Sequence, residues 1–118
     1  AVRCLVTENL IRRCADAVSE FGSAVPVIDF KDSVRRILDD GNESIDRNQL
    51  RLVQTPQAFY SKILIPAFNI DFKEQFTDEA TVVEAFGLKV KLVEGEEGNI
   101  KITRPLDLVI AERTLADR

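Results

Sequence analysis

The stretch Asn99-Ile100-Lys101-Ile102-Thr103-Arg104-Pro105 contains the signal that decides the fold. Its isoleucines alternate with Lys101 and Thr103, and such alternation is typical of a strand that buries one face. Pro105 then opens a run rich in aliphatic residues, and proline is favoured at the first position of a helix. The stretch therefore predicts a strand over 99–103 and a helix from Pro105 to the end of the chain.

The same stretch is a candidate phosphate site. A helix start offers free N–H groups and partial positive charge, Lys101 adds a full charge, and Thr103 adds a hydroxyl. An exposed strand face beside an ordinary helix cap has the same spacing, and short motifs often match by chance. Spacing alone leaves both interpretations open.

The segments just before this stretch predict a helix and another strand. Thr77-Asp78-Glu79 places a capping hydroxyl and two carboxylates at the start of a predicted helix over 78–86, which Gly87 would end. Residues 88–94 are rich in strand-forming side chains, and residues 95–98 contain two glycines that predict a turn.

Further towards the N-terminus, proline residues guide the interpretation. Thr55-Pro56 predicts a capped helix over 56–65, which Pro66 would end. Residues 24–28 form a short apolar run that predicts a strand. Because Pro26 cannot donate a ladder hydrogen bond, we expect this strand at an edge of the sheet or the proline at a strand end.

The N-terminal third predicts a helix followed by a charged arm. Thr7 can cap a helix over 8–21, whose apolar residues recur every three or four positions. Residues 32–38 and 49–54 flank a turn-rich stretch, so we predict two extended segments folded back on each other. Because they carry many charges, this arm should project or pair with another chain. The order of elements favours a mixed α/β layer.

Composition excludes several functional classes. The 118 residues suit one domain, and 16 basic against 20 acidic side chains give a net charge of −4, which argues against a broad nucleic-acid surface. The absence of histidine excludes Ser-His-Asp, Cys-His and histidine-rich zinc chemistry. Two cysteines make neither a disulfide framework nor a four-ligand metal site, so we expect free thiols and a cytoplasmic protein. No apolar run approaches the length of a membrane span.

The glycines, the acidic turns and the single arginines are weaker indicators of a binding site. Gly95 and Gly98 do not have the spacing of a dinucleotide loop, and no glycine-rich phosphate cradle is present. Acidic turns lack the ligand pattern of a calcium loop. Some arginines are candidate anion clamps, because a guanidinium can bind an anion through two parallel hydrogen bonds, although most surface arginines have no such role. These candidates are Arg3, Arg35, Arg36 and Arg47.

Taken in order, the motifs resemble the methylerythritol-phosphate cytidylyltransferase family, and the resemblance covers nearly the whole chain. The matching stretches are Ala1-Val2-Arg3, Asp46-Arg47-Asn48, Gln54-Thr55-Pro56-Gln57-Ala58-Phe59, Thr77-Asp78-Glu79-Ala80, Val93-Glu94-Gly95, residues 99–105 and Asp107-Leu108. Members of this family join the CMP part of CTP to 2-C-methyl-D-erythritol 4-phosphate, giving CDP-methylerythritol and pyrophosphate in the non-mevalonate isoprenoid pathway.

The resemblance implies a Rossmann-like nucleotidyltransferase fold of the nucleotide-diphospho-sugar transferase type, with flanking helices and a protruding β-arm. It implies that residues 1–118 are the C-terminal portion of one nucleotidyltransferase domain, because the family's glycine-rich loop and CTP-binding lysine have no counterpart here. It also implies a homodimer joined through an arm at about 29–50, no nucleic-acid or membrane partner, and Mg²⁺ bound mainly through the CTP phosphates.

Site residues follow from the resemblance position by position. Arg47 would reach the sugar phosphate bound by the other subunit, and Lys101 would orient that phosphate for attack. Further residues would line the sugar-phosphate pocket, and none would be a metal ligand. These are Arg3, Thr55, Thr77 and Ser33, the last standing where the family usually has threonine, in a run where Arg35 replaces lysine.

Two alternatives stay open. Ribitol-5-phosphate cytidylyltransferases perform the same chemistry on another acceptor, but they tend to carry Thr-Asp-Ala where this chain has Thr77-Asp78-Glu79-Ala80. In the second alternative the chain is a non-catalytic dimerisation or interaction module, and Lys101 and Arg47 are ordinary surface charges. By itself, a C-terminal portion without the CTP-binding half is expected to be inactive.

Overall fold

The computed structural model of the chain describes residues 2–69, 78–85 and 87–118. Helices pack beside a small mixed sheet, and a separate hairpin extends from it. The elements, in chain order, are α1 (Glu8–Phe21), β1 (Ser23–Asp29), β2 (Val34–Leu38), β3 (Gly41–Ile45), a 3₁₀ turn (Arg47–Gln49), β4 (Arg51–Val53), β5 (Ala58–Phe59), α2 (Ser61–Ala67), α3 (Glu79–Ala85), β6 (Leu92–Glu94) and α4 (Pro105–Ala116).

Helix α1 confirms the sequence prediction at both ends. Thr7 caps it by accepting a hydrogen bond from the Leu10 N–H at 3.1 Å. Gly22 ends it with a left-handed backbone, φ 85°, and its N–H donates to the Val18 carbonyl at 2.8 Å. Glycine suits this position because it adopts positive φ without a steric penalty.

Strand β1 is the centre of the main sheet, so the prediction of an edge strand is wrong. It pairs antiparallel with β4 and β5 and parallel with β6. Pro26 is tolerated because it lies opposite Gln54, just beyond the last residue of β4. Its carbonyl accepts from the Gln54 N–H at 2.8 Å, so the proline ring removes a single ladder bond.

The arm is a hairpin, but its second strand differs from the predicted one. Strand β2 pairs with β3, in a register from Val34 opposite Ile45 to Leu38 opposite Gly41. Asp39 and Asp40 alone form the turn, so the chain reverses earlier than predicted. Residues 49–54 contribute β4 to the main sheet instead. Two residues suffice for a hairpin turn, which explains the early reversal.

Cross-strand pairs occupy two of the arginines that were candidate anion clamps. Arg36 pairs with Glu43 directly opposite it, at 2.7 Å, and the Arg35 guanidinium donates to the Asn42 side chain. All four side chains are exposed. These pairs stabilise the hairpin, and the arm therefore has a structural use for Arg35 and Arg36.

The predicted helix over 56–65 is wrong at its start. Residues 58–59 form β5, which pairs with Ser23 and Ala24 at the beginning of β1, and the Tyr60 N–H donates to the Gly22 carbonyl at 3.1 Å. Backbone partners on β1 therefore hold this segment extended, and α2 begins only at Ser61. Pro66 lies within α2 rather than ending it.

Helix α3 confirms most of the predicted helix over 78–86. Its start is held by Asp78, whose carboxylate accepts from the Thr81 N–H at 2.9 Å. Gly87 follows with φ 96°. The predicted cap Thr77 and the predicted last residue Phe86 lie outside the described residues.

The predicted strand over 99–103 does not form, although α4 begins at Pro105 as expected. Within this segment the Ile102 N–H donates to the Val2 carbonyl at 2.8 Å, a single contact rather than a ladder. Strand β6 is also shorter than the predicted 88–94. A strand requires a row of backbone partners, and alternation of side chains alone does not supply them.

Among the described residues, the core forms two small clusters, one packed against Ala58 of β5 and the other against Phe59. Leu10, Cys14, Ala17 and Ala24 form the first, and Ala67, Val82 and Val83 form the second. Helix α4 adds little to either, because among its side chains only Ala111 is buried and Leu106 is 67% exposed. No described helix combines the length and apolarity needed to cross a bilayer.

Candidate functional site

A buried polar network joins the segment after β4 to the loop after β6. Gln54 and Asn99 are 3% and 1% exposed. The Gln54 amide donates to the Glu96 carbonyl at 2.7 Å and accepts from the Glu96 N–H at 3.1 Å. Asn99 Nδ2 donates to the Thr55 carbonyl at 2.7 Å. These bonds satisfy most of the buried polar atoms and hold the two segments together.

Arg3 and Thr55, two predicted substrate contacts, lie at this network. The Arg3 guanidinium donates to the Asn99 carbonyl at 2.5 Å, and partial burial lowers the pKa of Arg3 from its ordinary value. Arg3 and Thr55 line one cleft of about 370 Å³. Its other walls are Val2, Val6, Ile11 and Pro56.

Lys101 is exposed and follows Asn99 by two residues. The other donors predicted beside it are already used. The Asp107 carboxylate accepts from the Thr103 N–H at 3.1 Å, the Thr103 hydroxyl at 3.2 Å and the Arg104 N–H at 3.0 Å. A carboxylate at the start of α4 opposes a second anion there. Thr103 and the Arg104 N–H are therefore bonded to Asp107 and are not free donors for a phosphate, which favours the ordinary helix cap, whereas the exposed Lys101 stays a candidate for binding an anion.

Asp107 is stabilised as an anion by these contacts. Hydrogen bonds from the backbone of Thr103 and Arg104 lower the pKa of its carboxyl, with smaller contributions from the Thr103 hydroxyl and the Arg104 charge. The negative charge also lies at the positive end of the helix dipole. This arrangement caps α4 and fixes the backbone that follows Lys101.

Arg47 and Ser33 lie apart from the Arg3 cleft, at the base of the hairpin. Arg47 lines a cleft of about 390 Å³ and donates to the Lys31 carbonyl. Ser33 lines a neighbouring cleft of about 680 Å³, and the two clefts share Asp29, Phe30, Lys31 and Glu97. Neither shares a lining residue with the Arg3 cleft. The described site residues thus form two groups within one chain.

Two ion pairs neutralise cations around the base of the hairpin. Lys31 pairs with Glu97 at 2.8 Å, and Arg51 pairs with Asp29 at 3.1 Å. Arg47 has a carbonyl partner instead of a carboxylate in this region. Its charge is therefore less compensated than those of its neighbours, which suits a residue that meets an anion.

Gln57 belongs to one of the matching motifs, but no role for its side chain was predicted from the motif. Its side-chain amide donates to Asp78 at 2.9 Å and accepts from the Ala80 N–H at 3.0 Å, which ties the Thr55 loop to the start of α3. Thr77, a predicted substrate contact, directly precedes Asp78 in the sequence but lies outside the described residues. The Gln54–Asn99 network was missed as well, since sequence does not reveal which amides are buried.

A sequence model of the family 2-C-methyl-D-erythritol 4-phosphate cytidylyltransferase matches residues 1–117. The chain belongs to this family. Curated relatives with the same name include those of Bacteroides thetaiotaomicron, 43% identical over 114 residues, and Bacteroides fragilis, 44% identical over 114 residues. Each alignment covers 97% of this chain and 52% of the relative. The chain thus spans about half the length of the curated relatives it matches.

Solved structures agree on the fold. The crystal structure of 2-C-methyl-D-erythritol 4-phosphate cytidylyltransferase from Thermus thermophilus matches with a TM-score of 0.83 and 35% identity, covering 99% of this chain and 59% of that one. The crystal structure of 4-diphosphocytidyl-2C-methyl-D-erythritol synthase from Anaerococcus prevotii matches with a TM-score of 0.84 and 32% identity, covering 98% of this chain and 55% of that one. The α/β nucleotidyltransferase fold predicted from sequence is confirmed.

A metal ion has no ready site among the described residues. They contain no group of three or more acidic or cysteine side chains placed to hold one. The side chains of this part of the chain therefore do not fit a Mg²⁺ site by themselves.

Proposed function

We propose that this chain supplies the sugar-phosphate side of a cytidylyltransferase that joins CTP and 2-C-methyl-D-erythritol 4-phosphate. The observation that carries the proposal is the Asn99 network, which links Arg3 and Thr55 and continues within two residues to Lys101. The family match supports this substrate. The products would be CDP-methylerythritol and pyrophosphate, in the non-mevalonate route to isoprenoids.

The chemistry needs positioning and charge neutralisation. A phosphate oxygen of the sugar phosphate attacks the α-phosphorus of CTP, a new P–O bond forms, and the bond to the pyrophosphate leaving group breaks. The substrate itself is the nucleophile, so a sequence without histidine is suited to the reaction. Lys101 would hold the attacking phosphate in line, and Arg47 would bind its remaining charge.

A homodimer is part of the proposal. Arg47 and Ser33 lie at the hairpin base, in clefts separate from the one that Arg3 and Thr55 line. If the hairpins of two copies exchange contacts, Arg47 of one copy can approach the Lys101 segment of the other. Ile37 on the hairpin is 81% exposed, which favours burial in such a contact.

The proposed reaction also involves a second substrate, a metal ion and a cellular location. CTP would be the second substrate, and Mg²⁺ would enter mainly with its phosphates. Cys4 and Cys14 are free thiols, which supports a cytoplasmic location. No nucleic-acid or membrane partner is proposed.

The test is direct binding of 2-C-methyl-D-erythritol 4-phosphate to the 118-residue chain by calorimetry. Lys101→Ala should weaken binding roughly 10- to 150-fold, because a charged hydrogen bond is worth about 1.5–3 kcal/mol. Arg47→Ala should have a similar effect in the dimer. Lys89→Ala removes an exposed lysine outside the described site and should leave affinity unchanged.

Two results would contradict the proposal. Equal affinities for wild type, Lys101→Ala and Lys89→Ala would favour the interaction-module alternative. Tighter binding of ribitol 5-phosphate than of the methylerythritol compound would assign the chain a different acceptor.

A further inference from the structure

Asn99 contacts or adjoins three of the predicted site residues. Its Nδ2 donates to the Thr55 carbonyl at 2.7 Å, and its own carbonyl accepts from Arg3 Nη1 at 2.5 Å. Lys101 lies two residues further along the chain, in a segment that belongs to no strand. Without a ladder to hold it, this segment depends on contacts such as those of Asn99 for its position.

The orientation of the Asn99 amide is determined by its surroundings. A flipped amide would place its oxygen against the Thr55 carbonyl oxygen, which is unfavourable. In the observed orientation Nδ2 also lies 3.4 Å from Gln54 Oε1, whereas the buried Oδ1 atom has no hydrogen-bond partner among the described residues. The Asn99 side chain is therefore held through Nδ2, and the bond to Thr55 is the shorter of its two contacts.

We propose that Asn99 is a positioning residue, which holds Arg3, Thr55 and the Lys101 segment in the arrangement that binds the sugar phosphate. It does not touch substrate; it acts through its hydrogen bond to Thr55 and its carbonyl contact with Arg3. The inference rests on the proposed function for the identity of the ligand. Its structural half, the coupling of the three residues, can be tested without any ligand.

The ligand-free test uses amide signals of the ¹⁵N-labelled chain. Asn99→Ala should shift or broaden the signals of Arg3, Thr55 and Lys101 together. The substitution removes the side-chain bond to Thr55, and the Asn99 backbone, whose carbonyl Arg3 contacts and which leads to Lys101, then loses its anchor. Ala17→Gly is the control, since it destabilises α1 at a buried position, in a core cluster that includes none of these three residues. Its spectrum should retain the wild-type signals at all three positions.

The ligand test uses Asn99→Asp and its pH dependence. The new carboxyl can donate to the Thr55 carbonyl only when protonated. The affinity of the Asn99→Asp variant for 2-C-methyl-D-erythritol 4-phosphate is compared with that of wild type at the same pH. It should be about tenfold lower near pH 8 and recover towards wild type near pH 5. Asn99→Ala should show a loss without this recovery, which would tie the affinity to the donated bond, and the folded spectrum of each variant separates this loss from unfolding.

The results separate a failure of the proposed function from a failure of the role proposed for Asn99. If wild type does not bind the ligand, the proposed function fails, and the amide signals alone decide on Asn99. If wild type binds the ligand and both Asn99 variants bind it as tightly as wild type does, the positioning role is overturned. If both Asn99 variants lose the folded spectrum while Ala17→Gly keeps it, Asn99 has a purely structural role and the proposal is also overturned.

Discussion

Gly95 lies so close to its neighbours that a side chain has no room. A Cβ atom there would be 2.5 Å from Gln54 Oε1 and 3.0 Å from the Val27 carbonyl oxygen. The Gly95 N–H also donates to that carbonyl at 2.8 Å, so the loop cannot retreat without losing the bond. At the scale of single residues, this contact keeps Gln54 in the network that reaches Asn99.

We expect Gly95→Ala to lower the free energy of unfolding by about 1–3 kcal/mol, the usual cost of forcing extra volume into a packed site. Gly98→Ala is the matched control from the same loop, where an added Cβ meets nothing within 4 Å. It should change the free energy of unfolding by less than about 0.5 kcal/mol. Chemical denaturation measures both, and equal effects would contradict the steric argument.

The binding residues themselves could be selected from the sequence only through their motifs. Lys101 and Arg47 are exposed, so burial gives no sign of their roles, and both stay predictions. The amides that organise the site could not be selected, because Gln54 and Asn99 look like any other polar residues until their burial is known. A chain must fold before it is clear which polar groups have lost water.

At the scale of the elements, α4 shows how one side chain defines a helix start. Asp107 accepts from two backbone N–H groups and a hydroxyl before the first turn. These bonds favour the ionised carboxyl, so its pKa is lower in the folded chain than in the unfolded one. Its contribution to stability is therefore present above the unfolded pKa and is lost as the pH falls through the folded pKa.

We expect Asp107→Asn to lower the thermal unfolding midpoint at neutral pH, because an amide oxygen caps less strongly than a carboxylate. The difference from wild type should shrink on acidification below the ordinary carboxyl pKa of about 3.9 and vanish once the pH has passed the lower pKa of the folded state, where the wild-type carboxyl also becomes neutral. Asp117→Asn removes the same charge at the other end of α4 and should show no such stabilising role. A difference for Asp107→Asn that stays constant with pH would contradict the charge-based account.

At the scale of the whole molecule, two of the described surfaces expose large apolar side chains. Helix α4 exposes most of its aliphatic residues, and the hairpin exposes Ile37. The chain also spans about half the length of its curated relatives. The hairpin is the surface on which the proposed dimer depends, because Arg47 lies at its base.

We expect the chain to dimerise in sedimentation equilibrium and Ile37→Asp to weaken the dimer at least about tenfold. Burying an isoleucine contributes about 1.5–3 kcal/mol, and a symmetric dimer contains the substitution twice. Ile65→Asp is the matched control, since Ile65 is 63% exposed on α2, away from the hairpin. A dimer weakened equally by both substitutions, or by Ile65→Asp alone, would place the contact elsewhere.

The sequence by itself determined the elements whose signals are local. Thr7 and Gly22 set both ends of α1, Pro105 sets the start of α4, and the density of charge predicted an exposed arm. Caps and helical periodicity act within about four residues, so they can be recognised along the chain. The motif order also determined the family.

Only the tertiary structure decided which segments become strands and which site residues meet. Strand β1 took the centre of the sheet in spite of Pro26, residues 58–59 paired with it instead of starting a helix, and 99–103 found no ladder. The bond from Arg3 to Asn99 joins residues 96 positions apart. Strand pairing and buried hydrogen bonds depend on partners that are distant in sequence, and local propensity carries no information about which distant partner is present.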